Sequence, residues 1–265
     1  MAGRARTRRK VIHYYRLVIQ YKGTRYLGWQ IQPERSGFTV QGELNKALAA
    51  VSKATVHTIG SGRTDSGVHA LGQVVKAAIE LEIAPEKLLR ALNSHLPDDI
   101  RVIQAESSDH EFMPTVHAVS KEYHYRFTLG RYPSALQNEL IANHSFELDL
   151  DLMKEACKLL IGEHDFMNYF CEGTEVSSTV RTIYECEIRE VPQGPWEMLP
   201  AHYVFKVVGN GFLKQMVRLL MGAVWNVGRG KISLTDFKTS LSEKAHHRLG
   251  MVAPAEGLYM VCVNY

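Results

Sequence analysis

Residues 56–79, VHTIGSGRTDSGVHALGQVVKAAI, set two short apolar runs on either side of a glycine-rich stretch. The runs at 56–59 and 73–79 are rich in Val and Ile and bounded by turn formers, which reads as strand, loop, strand. The loop, GSGRTDSGVHA at 60–70, places Gly60, Gly62 and Gly67 around Arg63, Asp65 and His69. Glycine permits positive φ and lets backbone approach a ligand closely. A turn framed this way, with a carboxylate beside a guanidinium, suits a reactive site. The same residue types also suit a polar β-turn whose Asp caps it and whose Arg is solvated.

Working outward, the first half reads as strand 14–21, helix 41–51, the two strands around the loop, helix 85–96 and strand 101–105. The first helix carries Leu44, Ala47, Leu48 and Val51 at helical spacing. The second half repeats that order: strand 123–128, helix 150–161, strands 181–189 and 203–208, helix 212–226 and strand 259–264. The last helix is expected to turn Phe212, Met216, Leu219, Leu220 and Val224 inward. The repeat is one of pattern, not of residue identity. It predicts an α+β fold of two ferredoxin-like units (strand-helix-strand-strand-helix-strand) with antiparallel sheets. The expected domains are a basic arm at 1–10, an α+β domain at 11–110 carrying the Asp65 loop, and a second α+β domain at 111–265.

Hydrophobic residues make up 45% of the 265 and charged residues 22%, enough apolar material for a substantial core. The net charge of +3 neither requires nor excludes a nucleic-acid partner, so its distribution matters more. Arg4, Arg6, Arg8, Arg9 and Lys10 crowd the N-terminus without an acid, either as a solvated tail or as an arm for phosphates. Cys157, Cys171, Cys186 and Cys262 fit no zinc spacing and read as free thiols in a reducing cytoplasm. No apolar run approaches the roughly 18 residues of a membrane span. Asp65 and His69 lack a second His or carboxylate at matching spacing, so no metal site is expected. By itself His69 reads as a turn or packing residue.

The string GRTDSGVHA resembles the signature of the TruA-type tRNA pseudouridine synthases, whose Asp is the nucleophile. The resemblance runs from about Tyr14 to Tyr265. YKGTRYLGWQIQ at 21–32 is similar to a family segment that usually has Asp where this chain has Lys22. TVQGELNKAL at 39–48, LNSHLPDDI at 92–100, GEHDFMNYF at 162–170, VRTI at 180–183 and APAEGLYMVCVNY at 253–265 are also similar. SKEYHYRF at 120–127 matches the segment with the family's active-site tyrosine, which falls on Tyr123. NGFLKQMVRLLMG at 210–222 places Arg218 at the family's basic position. FMPTVHAVSK at 112–121 departs from the pattern: the family commonly has His and an RNA-contacting Arg where this chain has Met113 and Thr115.

The resemblance implies isomerisation of uridine to pseudouridine in the tRNA anticodon stem-loop, at tRNA positions 38, 39 and 40, by a homodimer with an RNA cleft between its two units. No cofactor is implied, because nothing is oxidised, reduced or added. Asp65 is the expected nucleophile, with Arg63 and Arg218 as candidates to pair with it or with phosphate. Tyr123 is expected to stack on the target base, with Tyr125 behind it on the same strand face. Lys22, Arg25, Lys76, Lys121, Arg126 and Lys214 are candidates for phosphate contacts. Two alternatives are a synthase with a different RNA target and a non-catalytic RNA-binding protein on the same fold. A hydrolase using a metal at Asp65 and His69 is the weakest alternative.

Overall fold

The computed structural model describes residues 11–32, 37–130, 132, 135–171, 176–194, 199–245 and 249–265. The expected N-terminal arm lies outside them. Ten strands are present: β1 His13–Tyr21, β2 His57–Gly60, β3 His69–Ile79, β4 Ile100–Ser108, β5 Ser120–Leu129, β6 Ala142–His144, β7 Gly162–Asp165, β8 Val180–Val191, β9 His202–Gly209 and β10 Leu258–Asn264. The helices are α1 Val40–Ser52, α2 Pro85–His95, α3 Leu150–Leu160, α4 Met216–Gly228 and α5 Leu234–Thr239. None of them is long and apolar enough to cross a membrane.

The strands form one mostly antiparallel sheet in the order β4-β1-β3-β10-β5-β9-β8-β7, with β2 added to β3 and β6 to β5. The sequence led to two sheets; the structure joins them. The join is a short parallel pairing of β10 with β3, Tyr259 opposite His69 and Met260 opposite Ala70. β10 also pairs antiparallel with β5, so the last strand ties the two halves together.

The pleat explains why one face is the core. Along β1, Tyr15, Leu17, Ile19 and Tyr21 are buried while Arg16 and Gln20 turn away. Along β5, Tyr123, Tyr125 and Phe127 are buried and His124 and Arg126 face the other side. β3 is buried along nearly its whole length, as a central strand must be. α1 covers this face with Val40, Leu44, Ala47 and Leu48, and starts where the Thr39 hydroxyl accepts from Gly42 N. α3 starts where Asp149 accepts from the amides of Asp151 and Leu152, both at 3.0 Å.

Several element boundaries moved, two of them at the site. β3 begins at His69, so His69 and Ala70 belong to a strand and the reactive loop is shorter than the sequence implied. α4 begins at Met216, not at 212, because Gln215 adopts a left-handed φ of 64° that a continuing helix cannot contain. Phe212 is therefore released from the helix. The short strands β6 and β7 and the one-turn α5 carry too little periodicity to stand out in sequence.

Candidate active site

Asp65 sits in the turn between β2 and β3, and alternate residues of that turn are pinned. Gln73 Nε2 donates to the Gly62 carbonyl at 2.6 Å and accepts through Oε1 from the Ser61 hydroxyl at 2.7 Å. Trp29 N donates to the Thr64 carbonyl at 3.1 Å, and the hydroxyls of Thr64 and Tyr21 share a hydrogen bond of 2.8 Å. The Ser66 hydroxyl and the Gly67 amide both donate to the Tyr26 carbonyl. Gly67 takes φ +81°, the conformation a side chain would resist. Gly60 serves differently: a Cβ there would meet the Trp29 ring at 2.6 Å. With its neighbours fixed, Asp65 presents its carboxylate at the surface of a rigid turn.

Arg218, in the first turn of α4, supplies the partner. Its Nη1 lies 3.0 Å from Asp65 Oδ2, and its Nε donates to the Ala253 carbonyl at 2.7 Å. The two side chains are 13% and 21% exposed, so the pair is sheltered but still reached by solvent. The second bond, to Ala253, fixes the plane of the guanidinium and hence the orientation of the carboxylate. The sequence offered Arg63 and Arg218 equally; the structure brings Arg218 to Asp65. Arg63 is exposed and makes no ion pair among the described residues.

Tyr123 reaches the same place from β5. It is 7% exposed, with its ring edge-on to Phe212 at 5.1 Å between centroids. Burial, then the nearby Tyr21 and the Asp65 charge, push its phenol far above the ordinary tyrosine range. The hydroxyl therefore stays protonated. Tyr125 shares that strand face, donates to the Pro254 carbonyl at 2.9 Å and packs edge-on to Trp225. It lies behind the site, in the core.

His69 turns away from Asp65. Its Nδ1 accepts from Gly23 N at 3.0 Å, and its ring stacks on Tyr259 at 4.7 Å. Burial lowers its pKa to about 4. The carboxylate and the imidazole that the sequence set four residues apart thus do not converge.

Of the expected phosphate contacts, Lys22 pairs with Glu139 and Arg25 with Asp99. Lys76 donates to the His110 carbonyl at 2.5 Å, and the Arg126 guanidinium lies over the Tyr259 ring. Lys214 is exposed. Lys121 stands closer to the chemistry than the others: its Nζ donates to the Ser61 carbonyl at 2.7 Å. Its place two residues before Tyr123 on one strand was the signal available in the sequence. Thr115 also lies against the loop, donating to the Gly60 carbonyl at 3.1 Å.

Known proteins share this arrangement of sequence. The family model described as tRNA pseudouridine synthase matches residues 17–113, which hold Arg63 and Asp65, and 156–265, which hold Arg218. The tRNA pseudouridine synthase A of Exiguobacterium sp. is 40% identical over 250 residues, covering 94% of this chain and 97% of its own. The Bacillus subtilis protein of that name is 41% identical over 249 residues, 93% and 97% of the two chains. The tRNA pseudouridine synthase A 2 of Desulfotalea psychrophila is 36% identical over 262 residues, 96% and 99% of the two chains. With a family model spanning most of its length and relatives aligned nearly end to end, this chain belongs to the tRNA pseudouridine synthase family.

Proposed function

We propose that the protein converts uridine to pseudouridine in the anticodon stem-loop of tRNA, with Asp65 as nucleophile. The observation that carries the reading is the Asp65 carboxylate on a rigid turn, oriented by Arg218 at 3.0 Å from the other half of the chain. In the reaction the bond from ribose C1′ to N1 breaks, the uracil turns, and C1′ bonds to C5. The proton on C5 leaves and N1 gains one, so the step balances without a co-reactant. Three routes begin at Asp65: attack on C1′, attack on C6, or removal of a ribose proton. All three need the carboxylate held at a fixed place against the nucleotide, which is what Arg218 and the pinned turn provide. The Tyr123 ring offers an apolar face for the freed base. Extruding a stacked base costs about a few kcal/mol, offset by such contacts.

The two halves, 11–110 and 111–265, are read as ferredoxin-like units. The strand orders β4-β1-β3-β2 and β10-β5-β9-β8 support this, each being fourth, first, third, second in its own half once the short β6 and β7 are set aside. The family resemblance supports an RNA cleft between the units and a homodimer. Free thiols at Cys157, Cys171, Cys186 and Cys262 support a cytoplasmic setting.

The test is a site-by-site map of pseudouridine after purified protein acts on an unmodified tRNA with uridines in the anticodon arm. Conversion there is the expected result. A folded protein that binds the tRNA and converts nothing would overturn the assignment. A second reading keeps the chemistry and changes the target. It draws on Met113 and Thr115, since Thr115 touches the Asp65 loop where the family commonly has an RNA-contacting Arg. Maps from cells lacking the protein separate the two, because loss confined to sites outside the anticodon arm fits only the second.

A further inference from the structure

Lys121 and Tyr123 leave β5 on the same face, the one that carries α4 and the Asp65–Arg218 pair. An ammonium has three donors, and the Ser61 carbonyl takes one. A Cβ placed on Gly62 would stand 3.6 Å from Lys121 Nζ and 3.9 Å from the Tyr123 hydroxyl. The ammonium and the hydroxyl therefore border one gap beside the reactive turn.

A second cation leaves a nearby strand on the same face. Lys121 lies opposite Gly209 on β9, and Gly209 lies opposite Ile183 on β8. Gly209 has no side chain, and the Phe212 ring closes over it, its Cζ 3.2 Å from where a Cβ would stand. Arg181, two residues before Ile183, leaves β8 on the same face. Its Nη1 donates to the carbonyls of Ser178 and Val180, at 2.9 and 2.6 Å, and a Cβ on Gly211 would stand 3.8 Å from its Nε. Burial and the Arg181 charge together lower the pKa of Lys121. Among the described residues neither side chain forms an ion pair. Like charges brought together under partial burial raise the free energy of the empty site, and a bound anion lowers it.

We propose that Lys121 and Arg181 clamp one RNA phosphodiester next to the target uridine. The clamp rests on the reading of the Asp65 cleft as an RNA site. It identifies the anion as part of the strand because Tyr123, on the same gap, offers a ring to the base that strand delivers. Neither cation takes part in bond making. They fix where the nucleotide stops.

Stem-loop RNAs carrying a single uncharged methylphosphonate linkage, walked along the loop, test this by binding to wild type, Lys121→Met, Arg181→Met and Lys121→Arg. In wild type, one linkage near the target uridine should weaken binding about tenfold, the scale of a lost charge-assisted hydrogen bond. In either Met variant that linkage should matter only about threefold, because one of its two partners is already gone. The salt dependence of binding should flatten by about 0.7 in log–log slope for each cation removed. Lys121→Arg should retain the wild-type sensitivity. A merely structural lysine, holding only the Ser61 carbonyl, would shift neither the slope nor the linkage profile. If every linkage costs the Met variants as much as it costs wild type, the clamp does not exist. The readout is binding, so a wild type that binds but forms no pseudouridine would defeat the proposed activity and leave this result standing.

Discussion

The first strand of each half sits at the same place in its strand order and does different work. β1 lines the core with Tyr15, Leu17 and Ile19. β5 does so with Tyr125 and Phe127, but its opening residues Lys121 and Tyr123 border the Asp65 turn. The second helices differ in the same way. α2 is amphipathic and buries Leu88 and Leu92, whereas α4 is buried nearly all round and carries Arg218 at its start. The connection between second and third strands reverses the pattern, since it is the first half that inserts the glycine-framed turn. Topology alone therefore does not place the site. It arises where the halves meet, from a carboxylate on one side and a guanidinium 153 residues later on the other. If that division is right, the first half supplies the reacting group and the second half supplies position.

The largest effect is expected at the reacting group. Asp65→Asn keeps the size and shape of the side chain and removes its charge. Turnover should fall by at least about 10⁴-fold, as when other nucleophiles are removed. Binding of tRNA should be unchanged or tighter, since a negative charge has left the proposed RNA cleft. Turnover assays beside filter binding check both, and an active Asn variant would remove Asp65 from the chemistry.

Next comes the positioning group. Arg218→Ala should lower kcat about 100-fold or more with little change in KM, the pattern of lost orientation. Arg218→Lys should recover only part, because one ammonium cannot hold both Asp65 and the Ala253 carbonyl as the guanidinium does. Added to Asp65→Asn, the Ala substitution should cost little more. Full additivity would mean that Arg218 acts independently of Asp65.

The join between the halves should respond to acid. His69 stands on β3 opposite Tyr259 of β10, with its pKa lowered by burial to about 4 against 6.5 when exposed. Between those values the unfolded chain binds a proton that the folded chain refuses, so stability rises with pH across that window. The contribution is complete above about pH 6.5 and shrinks by about 3 kcal/mol on going down to pH 4. His69→Asn keeps an acceptor for the Gly23 amide and cannot titrate. Denaturant melts from pH 4 to 7 should show a shallower slope for the variant, and identical slopes would place the acid sensitivity elsewhere.

Much of this was legible beforehand, and what was hidden had a physical reason. β1 and β3 announced themselves by short apolar runs and β5 by alternation, and GRTDSGVHA marked its own loop. Asp65, Arg218 and Tyr123 could be named from motifs, but motifs carry no direction. The start of α4, which puts Arg218 in its first turn, follows Gln215 at positive φ, a backbone state that no periodicity encodes. The fusion of two expected sheets into one depends on a two-residue parallel pairing at the end of the chain, too short for a sequence signal. Lys121 was one of six basic candidates in the sequence, and its bond to the Ser61 carbonyl singles it out.

Tyr123 offers the smallest effect and the sharpest test of the division between the halves. Its ring is held edge-on to Phe212 within the buried face of β5. Its phenol is pushed so far up by burial and by Asp65 that it has no proton to lose near neutral pH. Tyr123→Phe keeps the ring and should reduce turnover less than about tenfold, the value of one neutral hydrogen bond. Tyr123→Ala removes the surface proposed to carry the base and should cost about ten times more again. The pH–rate profiles of wild type and the Phe variant should have the same limbs, because the hydroxyl titrates in neither working range. A Phe variant as inactive as Asp65→Asn would make the second half a chemical partner in proton transfer, and the division of labour drawn from the two first strands would have to be given up.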